Sequence, residues 1–231
     1  MHTRTGRLVN HDPQNRQYPF TRKITRPRSV LHRCDAPVLD QGNLGACTGF
    51  AAAQWLNCSQ NLVARRRFNH AMGVKYDRTY TDNEDGRTLY HHATIYDPFP
   101  WVWEPDDEGS SGLGVAKGLK VIGAIDRYEW PFTFEAFIAA NLQQATLAGT
   151  AWTNSMFDPD RNGIIRATGN LDDVDTGHEY LLRGVNWPRK WFRIRNNWTS
   201  EWGIKGEAYI PFDDMEKLLA AQGDCTVMRV G

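Results

Sequence analysis

The chain has little cysteine: four in 231 residues, at positions 34, 47, 58 and 225, with no Cys-x-x-Cys pair among them. That excludes a dense disulfide scaffold. It also has no excess of one charge, since 27 Lys and Arg balance 27 Asp and Glu. A broad basic footprint for nucleic acid is therefore missing. No apolar run approaches the roughly 18 residues that span a bilayer, and Met1 to Phe20 has no apolar signal core. There is no internal repeat and no low-complexity tract. What is present is 41% hydrophobic residues and 12% aromatics, enough for a globular core. These features predict a soluble cytoplasmic protein with reduced cysteines, monomeric, with no nucleic-acid or membrane partner and no metal or cofactor.

Zero net charge hides an asymmetry. Residues 1–33 carry eight basic side chains and one acid, Asp12, leaving a net of −7 on the remaining 198 residues. The simplest reading is a basic N-terminal extension, residues 1–33, lying on an acidic body, 34–231. A nucleic-acid or membrane tail is less well supported, because the basic residues are scattered among Pro, Asn and Thr with no amphipathic period.

Cys47, Ala51, Trp55, Cys58 and Leu62 recur at helical spacing, predicting one helix from Cys47 to about Arg66. Asn69 to Arg87 reads as irregular. Ser110 or Ser111 could cap a helix ending near Ile122, and Thr133 could cap another. After Gly149 short strand-like runs follow: Thr150–Met156, Gly163–Thr168, His178–Val185, Trp191–Asn196 and Glu207–Ile210. Segregation of this kind predicts an α+β fold, with a helical lobe over about 40–148 and a β lobe over about 149–212.

Cys47 opens the first helix, where unpaired backbone N–H groups and the helix dipole favour a thiolate. Cys58, on the buried stripe of the same helix, reads as a core thiol. A cysteine nucleophile needs a base. Of seven histidines, His178 alone opens a strand; it lies 131 residues after Cys47, and Asn196 lies 149 residues after Cys47.

Three segments resemble the papain-like cysteine peptidases. Gln41-Gly42-Asn43-Leu44-Gly45-Ala46-Cys47 resembles that family's Gln-Gly-x-Cys-Gly-Ser-Cys segment, and Gly177-His178 with Gly184 resembles its His-Ala-x-x-x-x-Gly strand. Arg195-Asn196-Asn197-Trp198 through Trp202-Gly203 and Gly206 resembles its Asn-Ser-Trp-Gly-x-x-Trp-Gly-x-x-Gly block. The resemblance spans about residues 36–212. It implies a two-lobed fold with a cleft between the lobes, and hydrolysis of protein or peptide amides. Cys47 would be the nucleophile and His178 its imidazolium partner, with Asn196 holding the ring and Gln41 supplying an oxyanion donor. Trp198 would shield the Asn–His contact, and Trp202 would flank the leaving-group side. Gly109, Ser111 and Gly112 would fall in the substrate-binding wall. Alternatives with the same triad are a peptidoglycan cross-bridge endopeptidase, an acyl transferase, or a silent structural member.

The chain departs from the pattern at several positions. Leu44 replaces a cysteine, so the disulfide usually anchored there cannot form. Thr48 replaces an aromatic, Asn197 a serine and Thr199 a glycine. Only about 35 residues precede the core, as in compact bacterial or phage members, and a virion-associated location is compatible with that. By analogy with family prosegments, the basic extension could lie across the cleft as a short inhibitory segment. Cys34 and Cys225 have no inferable partner. Asp158–Gly163 imitates the start of a calcium loop but has Gly169 at the twelfth position, so a turn is expected.

Overall fold

A computed structural model describes residues 4–75, 78–171 and 177–231. The first helix, α1 (Cys47–Leu56), is buried along its whole length. It stops ten residues short of the expected end because Cys58 turns away into extended backbone (φ −70°, ψ 137°). There Cys58 pairs with Cys34 as an isolated β-bridge, and the two are joined by a disulfide with Cα atoms 4.2 Å apart. This corrects the reading of Cys58 as a free core thiol and supplies the partner of Cys34. A second helix, α2 (Leu62–Ala71), restarts beyond a single 3-10 turn.

The polar stretch expected to be irregular holds the start of α3 (Asn83–Tyr96); Tyr76 and Asp77 within it lie outside the described residues. The signal was a capping box. The Asp82 carboxylate accepts from the Glu84 and Asp85 N–H groups, and the Asp85 carboxylate accepts from the Asp82 N–H at 2.7 Å. α3 lies directly on α1 at Gly49, where a Cβ would stand 2.3 Å from the Gly86 carbonyl oxygen. The helices α4 (Gly112–Val121) and α5 (Phe134–Gln143) begin where their caps predict. Ser111 accepts from the Gly114 N–H, and Thr133 from the Ala136 N–H.

The strands are β1 (Val30–Leu31), β2 (Arg127–Glu129), β3 (Thr146–Ala151), β4 (Gly177–Asn186), β5 (Trp191–Arg195), β6 (Glu207–Pro211) and β7 (Asp224–Arg229). They form one antiparallel sheet in the order β2-β7-β3-β4-β5-β6, with β1 also paired to β4. β3 starts four residues before the expected strand, and Asn154–Met156 coil into a 3-10 turn. The run at 163–168 contributes only the bridge from Ile164 to Tyr209. β2, β7 and the helix α6 (Phe212–Ala220) escaped the sequence reading.

The α+β class expected from the segregation of elements holds, and β4 divides its core. Tyr180 and Leu182 face Phe137, Phe192 and Trp152, between the sheet and α5 and α6. Leu181 faces Phe50, Trp55 and Leu89, between the sheet and α1, α3 and α4. The basic extension is built into this frame: Phe20 is buried in the first core, and Val30 and Leu31 pair with Val185 and Gly184.

Reagent titration of the denatured, unreduced protein should find two thiols, Cys47 and Cys225, rising to four on reduction. Four thiols before reduction would contradict the bridge. Cys34→Ala should lower the unfolding free energy by about 3 kcal/mol in denaturant melts, as closure of a loop of this size implies.

Candidate active site

Three elements carry the expected residues. Cys47 is the first residue of α1, His178 the second of β4, and Asn196 follows the last residue of β5. His178 and Asn196 meet through the Nε2 to Oδ1 contact, 2.6 Å. Nδ1 of the same ring has no partner among the described residues.

The neighbouring Asn197 ties the nucleophile's backbone to the histidine strand. Its side-chain N–H donates to the Cys47 carbonyl at 3.2 Å and to the Glu179 carbonyl at 2.9 Å. Gln54, two turns along α1 from Cys47, donates to the Asn197 side-chain oxygen at 2.6 Å and to the Asn196 carbonyl at 3.1 Å. Its own oxygen accepts from Arg195 at 2.9 Å. Sequence reasoning gave neither residue a role. A glutamine on the wholly apolar side of a buried helix was the available signal.

Aromatic rings enclose the imidazole. Trp198 lies 4.5 Å from it between centroids, and Trp152 lies 4.8 Å from it. Trp202 stands edge-on to Trp198 and donates its indole N–H to the Phe157 carbonyl at 2.7 Å. Beside them, Thr199 holds a left-handed backbone, φ 63°, a conformation that costs a β-branched residue about 1 kcal/mol or more.

The N-terminal segment runs through the site. Gly6 and Arg7 donate their N–H groups to the Gly177 carbonyl at 3.1 and 2.9 Å, the residue before His178. On the other side the Ser110 N–H donates to the Gly6 carbonyl at 2.9 Å, and the Leu8 N–H to the Ser110 carbonyl at 2.7 Å. Gln41 donates its side-chain N–H to the Arg4 carbonyl at 2.9 Å and to the Leu44 carbonyl at 2.8 Å. The Arg4 guanidinium pairs with Asp107 at 2.7 Å. Where the segment crosses the loop before Cys47 the backbones nearly touch: a Cβ on Gly6 would stand 2.1 Å from the Gly45 carbonyl oxygen.

Of the expected wall, Gly109 faces the segment, since a Cβ there would stand 2.3 Å from the Gly6 carbonyl oxygen. Ser110 makes the backbone pairing. The Ser111 hydroxyl turns away to Asp97 and Asn10, and Gly112 backs onto the Glu179 carboxylate.

Covered in this way, Cys47 is fully buried. Burial pushes its thiol up to about 12, with the Glu179 charge adding to the rise; backbone groups of Glu179, Gly6 and Thr48 oppose it. Burial also lowers His178 to about 4, against the Asn196 bond. Both partners are therefore neutral at pH 7, in place of the expected thiolate and imidazolium. The reason is desolvation, which outweighs the helix N-terminus. Among the described residues, no three His, Cys, Asp or Glu side chains are placed to hold a metal ion, and no helix is long and apolar enough to cross a membrane.

The two cores, with the His178–Asn196 pair on the sheet and the Cys47 carbonyl tied to Asn197, have the arrangement of the papain-like cysteine proteases, and the chain has their fold. Among solved structures, it matches xylellain, a cysteine protease from Xylella fastidiosa, with a TM-score of 0.57 and 17% identity over 100% of this chain and 98% of that one. It matches the bromelain protease from Ananas comosus, bound to the inhibitor E64, with a TM-score of 0.53 and 13% identity over 89% of this chain and 100% of that one. A curated protein of Acanthamoeba polyphaga mimivirus, described as an uncharacterized peptidase C1-like protein, is 24% identical over 204 residues. That alignment takes in 75% of this chain, which spans 64% of the viral protein's length. No family model matches.

Two outcomes follow from the site's electrostatics and backbone. An unfolded histidine binds its proton near 6.5, whereas folded His178 does so only near 4. The unfolded state therefore takes up the proton first, and stability falls as pH drops through that window. Between pH 7 and 4.5, urea unfolding should show the native chain losing about 2 kcal/mol more than a His178→Gln variant. Equal losses would contradict a buried neutral ring. Thr199→Gly should raise the unfolding free energy by about 1 kcal/mol in the same measurement.

Proposed function

We propose that the chain is a thiol-dependent endopeptidase acting on protein or peptide substrates, described here in a restrained state. The observation that carries this reading is the His178–Asn196 bond, with the adjacent Asn197 tied to the carbonyl of Cys47 at the start of a helix. With the N-terminal segment displaced, water reaches the thiol and imidazole, the burial penalty falls, and the proton can pass from Cys47 Sγ to His178 Nδ1.

The thiolate then attacks the substrate carbonyl carbon, and the carbonyl electrons move to oxygen. That oxyanion takes hydrogen bonds from the Gln41 side chain and the Cys47 N–H. Gln41 already donates to a peptide carbonyl, that of Arg4. Collapse breaks the C–N bond as His178 returns its proton to the leaving amine. The resulting thioester is hydrolysed by a water that His178 deprotonates. Asn196 fixes the ring through Nε2, so that Nδ1 remains the proton carrier. Trp198 and Trp152 exclude water from that bond.

The same geometry accounts for restraint. Residues 4–8 cover the thiol and occupy the Gln41 donor, so a substrate carbonyl has neither nucleophile nor oxyanion donor until they leave.

Digestion of a peptide library by the native chain should stop completely in Cys47→Ala, with an unchanged melting temperature. Gln41→Ala should lower kcat about 10²–10³-fold. Gly6→Ala places a methyl group against the Gly45 carbonyl; it should dislodge the segment and speed both turnover and alkylation of Cys47. Turnover that survives Cys47→Ala would refute the reading.

A further inference from the structure

Near the nucleophile, at the residue that follows His178 on β4, is a buried acidic pocket holding a guanidinium. The Arg7 side chain is 2% exposed and its Nη2 lies 2.6 Å from an Asp224 carboxylate oxygen, itself 4% exposed. The same nitrogen donates to the Gln222 carbonyl at 2.7 Å.

A second carboxylate, Glu179, completes the pocket. It is fully buried, and neither oxygen has a hydrogen-bond partner among the described residues; Arg7 Nε and Asp224 Oδ1 are also unpartnered. The walls are bare backbone. A Cβ on Gly149 would stand 2.4 Å from Glu179 and 2.8 Å from Arg7 Nε, and one on Gly112 would stand 2.7 Å from Glu179. Side chains at those positions would fill the space that the guanidinium and carboxylate occupy.

Two buried carboxyl groups share one cation, and the paired charge is that of Asp224 with Arg7. Burial, then the Asp224 charge, drives Glu179 well above the ordinary carboxylate range, while Arg7 pulls it down. Removing the guanidinium without replacement leaves the Asp224 charge buried and uncompensated, a state that strongly disfavours a neutral occupant. Glu179 directly follows His178, and its backbone acts on the Cys47 thiol, so whatever fills the pocket lies beside the reacting sulfur.

We propose that Glu179 and Asp224 form a subsite selective for an arginine or lysine side chain of the substrate, and that Arg7 is its resident occupant. The inference deepens the peptidase reading and rests on it. The pocket recognises the side chain of a basic peptide; the N-terminal segment uses that recognition to hold residues 4–8 in the cleft. A substrate with a basic residue at the matching position restores the pairing that Arg7 gives up, and a substrate with a neutral residue does not.

The test uses the full chain carrying Gly6→Ala, which leaves both carboxylates intact. Fluorogenic peptides that differ only by Arg, Lys, Met or Leu at each position should show one position at which Arg or Lys is turned over at least tenfold faster. That ratio should fall at least tenfold in Gly6→Ala/Asp224→Asn. Uniform turnover would overturn the subsite and leave the peptidase reading standing.

A second measurement needs no catalysis. The Arg peptide should slow iodoacetamide labelling of Cys47 at concentrations where the Met peptide does not, and Asp224→Asn should abolish the difference. Equal protection by both peptides would overturn the subsite. Selective protection by the Arg peptide without any turnover would support the subsite and count against the peptidase reading. Should the double variant fail to fold, Asp224→Asn in the otherwise native chain replaces it. Faster labelling of Cys47 is then expected, and an unchanged rate overturns the role of Arg7.

Discussion

The Asn196–Asn197 dipeptide is the junction on which the site depends. Asn196 turns its oxygen to the imidazole and to the next residue's N–H. Asn197 gives its amide hydrogens to carbonyls on α1 and β4. Each half of the molecule has its own apolar core, and apolar packing between the halves would leave their relative position free to slide. Directional hydrogen bonds to buried carbonyls fix it, because each bond lost leaves a buried side-chain amide donor unsatisfied. Gln54 extends the same tie to Arg195, whose guanidinium donates to the Cys34 carbonyl at 2.9 Å. The disulfide segment, the nucleophile helix and the triad strands thus form one connected polar frame.

That frame positions the reactive pair and leaves open whether the pair is charged. In the covered state, desolvation dominates and both partners are neutral. In the restrained state proposed above, a short peptide that removes water from a sulfur and a ring silences the site without moving either atom. This separation lets the geometry stay rigid while reactivity depends on a few removable hydrogen bonds.

Much of this was legible in the sequence, and the failures share a cause. Helix starts at Ser111 and Thr133 were readable because a cap is local chemistry. Cys47, His178, Asn196 and Gln41 were readable as a motif in order, though the sequence could not place Arg4 on Gln41. The end of α1 was not readable. Its apolar stripe continues past Cys58, and what stops the helix is a bond to Cys34, 24 residues away. α3 was missed because its exposed face is polar and its capping box uses aspartates. β7 was missed because a strand buried among others lacks alternation. The charge asymmetry was visible as a sum; only the fold shows that one of the eight basic residues of the extension is buried against Asp224.

The pleat of β4 gives adjacent residues opposite surroundings. His178 points to the tryptophans and Glu179 to the glycine-walled pocket, as alternate residues of any strand must. The proposed proton carrier and the proposed side-chain selector are thus back to back on a single dipeptide. Substitution at 179 can retune which peptides are accepted without touching the residue that moves the proton. An insertion or deletion upstream in β4 would exchange the two surroundings at once. With the roles proposed for these two residues, selectivity can change along this strand by replacement of residues, whereas a shift of register would lose the proton carrier as well.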